Sequence, residues 1–247
     1  MISKNKLKEL AAYRLQKRCD EEAVFVVEGP KMASEVLASG FTVRMICAVG
    51  EWLSAQVDSM VGIETFEVCP AELERLSNFK TPNQVWMLVE RKTENEERSK
   101  EKGGMILALD RIQDPGNMGT MMRTADWFGI RRVVCSPDTV SCYNPKVVQA
   151  SMGAVLRTQV NYVDLPQWLA SCGMPVFGAS LQGKPLSDAE RPNGSAVLLI
   201  GNESRGISAE AMTHVTHPIL IPNLGGTAES LNASVAAGIL MGWMNNL

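Results

Sequence analysis

The stretch Met105-Ile106-Leu107-Ala108-Leu109-Asp110-Arg111-Ile112-Gln113-Asp114-Pro115-Gly116-Asn117-Met118-Gly119-Thr120-Met121-Met122-Arg123-Thr124-Ala125-Asp126 decides the fold. Its apolar opening, 105–109, reads as a strand buried on both faces. A polar turn follows, and then a helix expected over 117–128. Asn117 can cap that helix, and Arg123 falls near its second turn. The same grammar repeats downstream. Strands are expected at 132–135, 159–163, 175–179, 196–200 and 218–221. Helices are expected at 145–152, 165–171, 208–213 and 230–245. Apolar strands alternating with helices predict a parallel sheet covered on both faces. In such sheets ligands sit beyond the carboxyl ends of the strands.

Two further strand ends resemble the first in composition. One is Leu199-Ile200-Gly201-Asn202-Glu203-Ser204-Arg205-Gly206-Ile207-Ser208. The other is Leu220-Ile221-Pro222-Asn223-Leu224-Gly225-Gly226-Thr227-Ala228-Glu229-Ser230-Leu231-Asn232-Ala233-Ser234. Each sets Gly, Asn and a charged group where backbone can approach a ligand closely. No G-x-G-x-x-G follows a strand, and no G-x-x-x-x-G-K-[ST] occurs. Gly201 to Gly206 has the phosphate-loop spacing, but Ile207-Ser208 stands where Lys-Ser/Thr is required. Standard dehydrogenase and phosphate-loop nucleotidase sites are disfavoured.

The N-terminal part has a different character. Residues 4–18 read as one helix with Leu7, Leu10, Ala11 and Leu15 on a face. Apolar runs follow at Ala23–Val27, Val43–Val49, Ile63–Val68 and Gln84–Val89, with helix-like segments near 30–38 and 70–77. Pro70 suits the first position of the latter. This alternation predicts a small α/β domain over 1–90. Residues 91–104 carry no large apolar side chain and read as a charged linker. A second domain then spans 105–247.

At 247 residues, 45% hydrophobic and 21% charged, the chain can bury a core without disulfides or metal. Six cysteines form no CxxC pair, and the two histidines, His214 and His217, have no Cys/His cluster beside them. Buried thiols are expected, and no metal site. No membrane span or leader is visible, which predicts a cytoplasmic protein. Net charge is −3, yet residues 1–18 hold six bases, Lys4, Lys6, Lys8, Arg14, Lys17 and Arg18, against the single acid Glu9. Such a segment is either a solvated helix face or an anchor for a phosphate backbone.

Taken together and in order, the three strand-end segments resemble the SpoU (TrmH-type) family of the SPOUT clan of RNA 2′-O-ribose methyltransferases. The matching residues are Asn117, Gly119, Arg123-Thr124 and Phe128-Gly129; Gly201-Asn202-Glu203; and Ile221-Pro222 with Ser230-Leu231-Asn232. Ser151-Met152-Gly153-Ala154 matches a minor family feature. The segment Phe25-Val26-Val27-Glu28-Gly29-Pro30-Lys31, after the basic helix, is similar to the ribosomal-protein-like RNA-binding domain often fused ahead. Two departures are visible. Ser204-Arg205 stand where small residues are usual, and Pro222 to Ser230 is one residue longer than usual.

The resemblance implies an α/β fold whose C-terminal parallel-sheet domain contains a deep trefoil knot. It implies S-adenosylmethionine as methyl donor and a ribose 2′-hydroxyl of structured RNA as acceptor, with ribosomal RNA favoured and a tRNA ribose methyltransferase as the alternative. The donor would rest on Ala179-Ser180-Leu181, Ile200-Gly201-Asn202, Ile221 and Ser230-Leu231. Arg123, Asn117, Glu203, Ser230 and Asn232 would form the catalytic set. Lys4, Lys6, Lys8, Arg14, Lys17, Arg18 and Lys31 would meet RNA. A homodimer without metal or membrane attachment is implied. A guanidinium keeps its proton to a pKa above about 12, so Arg123 suits a developing alkoxide or a phosphate better than general-base duty. Arg123 could instead pair on the helix surface with Asp126 or Asp114. The rival readings are a non-catalytic RNA-binding protein on the same fold and a methyltransferase acting on a base nitrogen.

Overall fold

The computed structural model describes residues 2–81, 83–92 and 104–246. Most of the linker expected at 91–104 lies outside the described residues. By its contacts the chain forms two compact units, Met1–Glu94 with Tyr143–Leu156, and Asn95–Cys142 with Arg157–Leu247.

The first unit is built on strands β1 (Val24–Glu28), β2 (Val43–Ala48), β3 (Glu64–Glu67) and β4 (Val85–Glu90), in the order β1-β4-β2-β3. Strand β4 runs antiparallel to β1 and β2, while β2 and β3 are parallel. The expected single helix over 4–18 is instead α1 (Lys4–Ala11), a 3-10 turn (Ala12–Arg14) and α2 (Gln16–Glu21). Leu15 is extended, at φ −90° and ψ 121°. The break turns Tyr13 and Cys19 inward beside Leu7 and Leu10, which a straight helix would not do. The Tyr13 hydroxyl donates to Glu22 at 2.7 Å, and burial, more than that carboxylate, pushes its pKa up to about 12.

Helix α3 (Pro30–Leu37) starts with Pro30 at its first position, after Gly29 at φ +98°. Helix α4 (Gly50–Ala55) has no counterpart among the expected elements; it is too short for a periodic pattern, and packing of Trp52 holds it. Helix α5 (Pro70–Leu76) begins at Pro70, with Glu72 accepting from the Cys69 amide. That position leaves Cys69 exposed, whereas Cys19, Cys47, Cys135 and Cys142 are buried. Helix α7 (Pro145–Ser151) also counts with this unit, after Tyr143, whose ring centroid lies 4.7 Å from that of Phe25.

The second unit holds strands β5 (Met105–Asp110), β6 (Arg132–Cys135), β7 (Gln159–Tyr162), β8 (Val176–Pro185), β9 (Ala196–Gly201) and β10 (His217–Leu220). All neighbours are parallel, in the order β10-β8-β9-β5-β6-β7. One face, through Ile106, Ala108, Val197 and Leu199, packs on α8 (Leu165–Ser171) and α9 (Ala209–Met212). The other unit-wide layer is α6 (Pro115–Trp127) against α10 (Ala233–Met244). There Met118, Met121, Met122, Leu240 and Met241 are fully buried, each worth about 1.5–3 kcal/mol. From β5 the chain steps outward to β6 and β7, then returns across the sheet to β8 and β9. The reversal falls between β5 and β9, where open α/β sheets bind ligands. No helix among the described residues is long and apolar enough to cross a membrane.

Candidate active site

The register levels the ends of β5 and β9, pairing Leu109 with Ile200 and Asp110 with Gly201. Beyond that line three loops are braced together. Buried Asp110 accepts from the Ser208 amide at 2.6 Å. Arg111 has φ +58°, an unfavourable conformation for a non-glycine residue. It is held from both sides: its amide donates to Ser136 Oγ at 2.8 Å, and its carbonyl accepts from Asn202 Nδ2 at 2.8 Å. Asn202 Oδ1 also accepts from the amides of Ser204 and Arg205, both at 3.1 Å. The turn closes with paired Asn202 and Gly206 backbones. Gly201 is obligatory, since a Cβ there would stand 2.2 Å from the Gly206–Ile207 backbone.

Helix α6 begins earlier than expected. Pro115 takes its first position, and Asp114, not Asn117, is the cap, accepting from the Asn117 amide at 2.7 Å. Pro fits the first turn because it lacks only an N–H that would be unpaired there. Asn117 is thereby set inside the first turn, 8% exposed, with its side chain free for another task. Its Nδ2 donates to Glu203 Oε1 at 2.8 Å, and its Oδ1 accepts from Asn232 Nδ2 at 2.9 Å. Asn232 caps α10, accepting from the Ser234 and Val235 amides, so the helix expected from 230 begins at Ala233. One chain of hydrogen bonds thus joins all three strand-end segments. Asn117 is its centre, bonded on one side to Glu203 and on the other to Asn232.

Arg123 is exposed on α6 and has no ion-pair partner among the described residues. Neither anticipated surface partner holds it. Asp126 pairs with Arg157 at 2.9 Å, and Asp114 serves as the cap. Ile200 and Gly201 are buried at the end of β9; Ala179, Ser180 and Ile221 are half-buried. Leu181, Leu224 and Leu231 are 73%, 95% and 49% exposed. No backbone–backbone hydrogen bond among the described residues involves 222–231. Apolar side chains beside backbone that belongs to no helix or strand suit a purine nucleoside, which has flat apolar faces and a polar edge. Ser230 is exposed. Among the described residues no group of three or more His, Cys, Asp or Glu side chains could hold a metal ion.

In the first unit, Lys6 pairs with Glu9, Lys17 with Glu21, and Arg18 with Glu21 and Glu22. Lys4, Lys8, Arg14 and Lys31 are exposed, with no ion pair among the described residues. Asp110, Asp114, Ser136, Ser208 and Asn223 were not anticipated. An Asp-Pro pair opening a helix was the available signal for Asp114. Asp110, Ser136 and Ser208 act across distant segments and leave no local trace.

A parallel sheet whose reversal carries three strand-end loops joined by hydrogen bonds through Asn117 has the architecture of an α/β enzyme site. The chain belongs to the SpoU rRNA Methylase family, whose model matches residues 104–242, and residues 4–86 match an MRM3-like substrate binding domain. It is thus an RNA methyltransferase. It is 30% identical to the 23S rRNA (guanosine(2553)-2′-O)-methyltransferase RlmP of Bacillus subtilis, over 96% of this chain and 94% of that one. A solved structure from Porphyromonas gingivalis, assigned to the TrmH family of RNA methyltransferases, is 37% identical with a TM-score of 0.86, over 99% and 98% of the chains. An AdoMet-bound rRNA methyltransferase structure from Sinorhizobium meliloti is 25% identical with a TM-score of 0.87, over 99% and 95%.

Proposed function

We propose that this protein methylates a ribose 2′-hydroxyl of ribosomal RNA in the cytoplasm, as a homodimer, with S-adenosylmethionine as donor. The observation that carries this reading is the Asn232–Asn117–Glu203 chain, which ties the three strand-end loops into one site. The donor, when bound, supplies a methyl group already activated by sulfonium charge, so the protein needs no metal. Ala179, Ser180, Leu181, Ile200, Gly201, Asn202, Ile221, Ser230 and Leu231 would hold it through strand-end backbone and the exposed leucines. The knotted C-terminal path implied by the family resemblance belongs to the same reading.

The chain's own task is positioning and charge stabilisation. A ribose hydroxyl is a poor nucleophile at neutral pH. Arg123 has no ion-pair partner among the described residues, and its planar fork can face the developing alkoxide and a neighbouring phosphate. Glu203 and Asn232 fix Asn117, and with it the start of the helix that carries Arg123. Lys4, Lys8, Arg14 and Lys31 remain available for RNA phosphates, while Lys6, Lys17 and Arg18 are partly spent on carboxylates. The division into an RNA-binding part over 1–90 and a methyltransferase part over 105–247 goes with this assignment.

The homodimer is supported by one face of the second unit. Trp127 is 85% exposed one turn beyond Arg123, and on α10 Val235 and Ile239 are 50% and 42% exposed. Apolar surface of that kind marks an interface. Sedimentation velocity at micromolar concentration should give a dimer. For the reaction, ribose methylation is mapped across total RNA from cells with and without the protein. One ribosomal ribose should lose its methyl group. A change confined to tRNA, or no change, would overturn the assignment.

A further inference from the structure

The segment from Ile221 to Asn232 joins β10 to α10 across the donor side of the site. Every residue from Pro222 to Asn232 is exposed. With no backbone–backbone hydrogen bond at 222–231 among the described residues, neither ladder nor core holds this stretch. Fixing each such residue costs backbone entropy, so its order must come from elsewhere.

It comes from one side chain. Asn223 Oδ1 accepts from the amides of Gly225 at 3.0 Å and Gly226 at 2.7 Å. Asn223 Nδ2 donates to the carbonyls of Gly226 at 3.0 Å and Ala228 at 3.3 Å. Both ends of the carboxamide are thus used on the loop's own backbone. Gly225 sits at φ +105°, a conformation that favours glycine. The far end of the segment is held separately, where Asn232 caps α10 and donates to Asn117. Between these two anchors lie Ser230 and Leu231. The arrangement buries nothing: Leu224 at its tip is 95% exposed. Packing of β10 and α10 does not require the closed turn.

We propose that Asn223 is a positioning residue for the methyl donor. It closes 223–228 into a fixed turn before the donor arrives and so sets donor affinity without touching the reacting atoms. This rests on the reading that the donor occupies the strand-end loops. Pre-ordering a binding loop raises affinity because the entropy of ordering is no longer charged to the binding step.

The test uses the full chain and the variants Asn223→Ala and Asn223→Asp. Calorimetric titration with S-adenosylmethionine and with S-adenosylhomocysteine gives donor-site affinity. Hydrogen exchange of amides 224–231 in donor-free protein reports loop order. Asn223→Ala should weaken both ligands roughly tenfold or more and speed exchange across 224–231. The KM for donor should rise, while kcat at saturating donor, RNA affinity and the thermal midpoint stay near wild type. Asn223→Asp keeps the two acceptor contacts and loses the two donor contacts, so its affinity should fall between. Unchanged ligand affinity in Asn223→Ala, unchanged exchange, or a fall in kcat at constant KM would each overturn the proposal. If the wild-type chain bound neither ligand, the donor-site reading would fail and this inference with it. Wild-type binding with an indifferent Asn223→Ala variant would sink the inference alone.

Discussion

Replacing Asn117 by Asp exchanges one NH2 group for an oxygen and leaves the shape unchanged. The bond from Asn232 Nδ2 to Oδ1, 2.9 Å, survives. The bond from Nδ2 to Glu203 Oε1, 2.8 Å, becomes a contact between two carboxylates. Losing a hydrogen bond to a charged acceptor costs about 1.5–3 kcal/mol. Two unit charges at 2.8 Å repel by ~1.5 kcal/mol in water and by ~6 kcal/mol at an effective dielectric constant of about 20. Asn117 is buried and Glu203 exposed, so after solvent screening the repulsion is about 2–3 kcal/mol. At pH 8 the variant should therefore lose roughly 4–5 kcal/mol. In acid one proton bridges the pair, an O–H donor returns, and most of the loss is recovered. Asn117→Ala strands Asn232 Nδ2 and Glu203 instead, at about 2–3 kcal/mol with no such pH dependence. Urea unfolding of both variants and wild type at pH 8 and pH 5, with methyl transfer measured alongside, resolves this. Ala should be the more stable variant at pH 8 and Asp at pH 5, each relative to wild type. An Asp variant as stable as wild type at pH 8, or one with no recovery at pH 5, would refute the network.

Arg123→Ala should lower methyl transfer by roughly 10²–10³ while leaving donor affinity nearly intact, and Arg123→Lys, which keeps charge but loses the fork, should recover part of the rate if charge alone matters; near-normal turnover in Arg123→Ala, by radioactive methyl transfer, removes this residue from the reaction. Burial raises the carboxyl pKa of Glu28 above its ordinary 4.5, against hydrogen bonds from Ser77 and Asn78 that lower it. Between that value and its folded one the folded state holds a proton the unfolded chain has lost, so stability falls as pH rises through the window. Glu28→Gln should flatten this fall in pH-dependent thermal melts, whereas Glu28→Ala, which removes the carboxylate that accepts from Ser77 Oγ and the Asn78 amide, should cost about 2–3 kcal/mol. Changing Lys4, Lys8 and Arg14 together to Gln should reduce the slope of log affinity against log salt by about 2–3 in filter binding to ribosomal RNA; an unchanged slope would place the RNA face elsewhere.

Local pattern carried well wherever an element is decided by its own residues. The expected strand at 132–135 coincides with β6, and the expected helix at 165–171 with α8. Uninterrupted apolar runs have only one way to be buried on both faces, and Pro70 could begin a helix but not continue one. Pattern failed where packing overrides periodicity. The apolar spacing at 4–18 is helical throughout, yet Leu15 is extended because Tyr13 and Cys19 gain burial when the helix breaks. Helix α4 has too few residues for any period to register.

The site divides along the same line. The order and chemistry of the three strand-end segments are legible in the chain, because residue types and short spacings suffice to mark strand, turn and helix start. The sequence could not determine which of the polar residues meet. Asn117 lies 86 positions from Glu203 and 115 from Asn232, and only the return of the chain across the sheet, with β9 laid beside β5, brings them within hydrogen-bond reach. Only the folded chain sets that Asp114 takes the cap, that Asn117 is thereby released to bond Glu203, and that Arg123 has no ion-pair partner among the described residues. A cap or an ion pair is a choice among competing partners. The winner is set by distances through space, which the chain does not possess until it has folded.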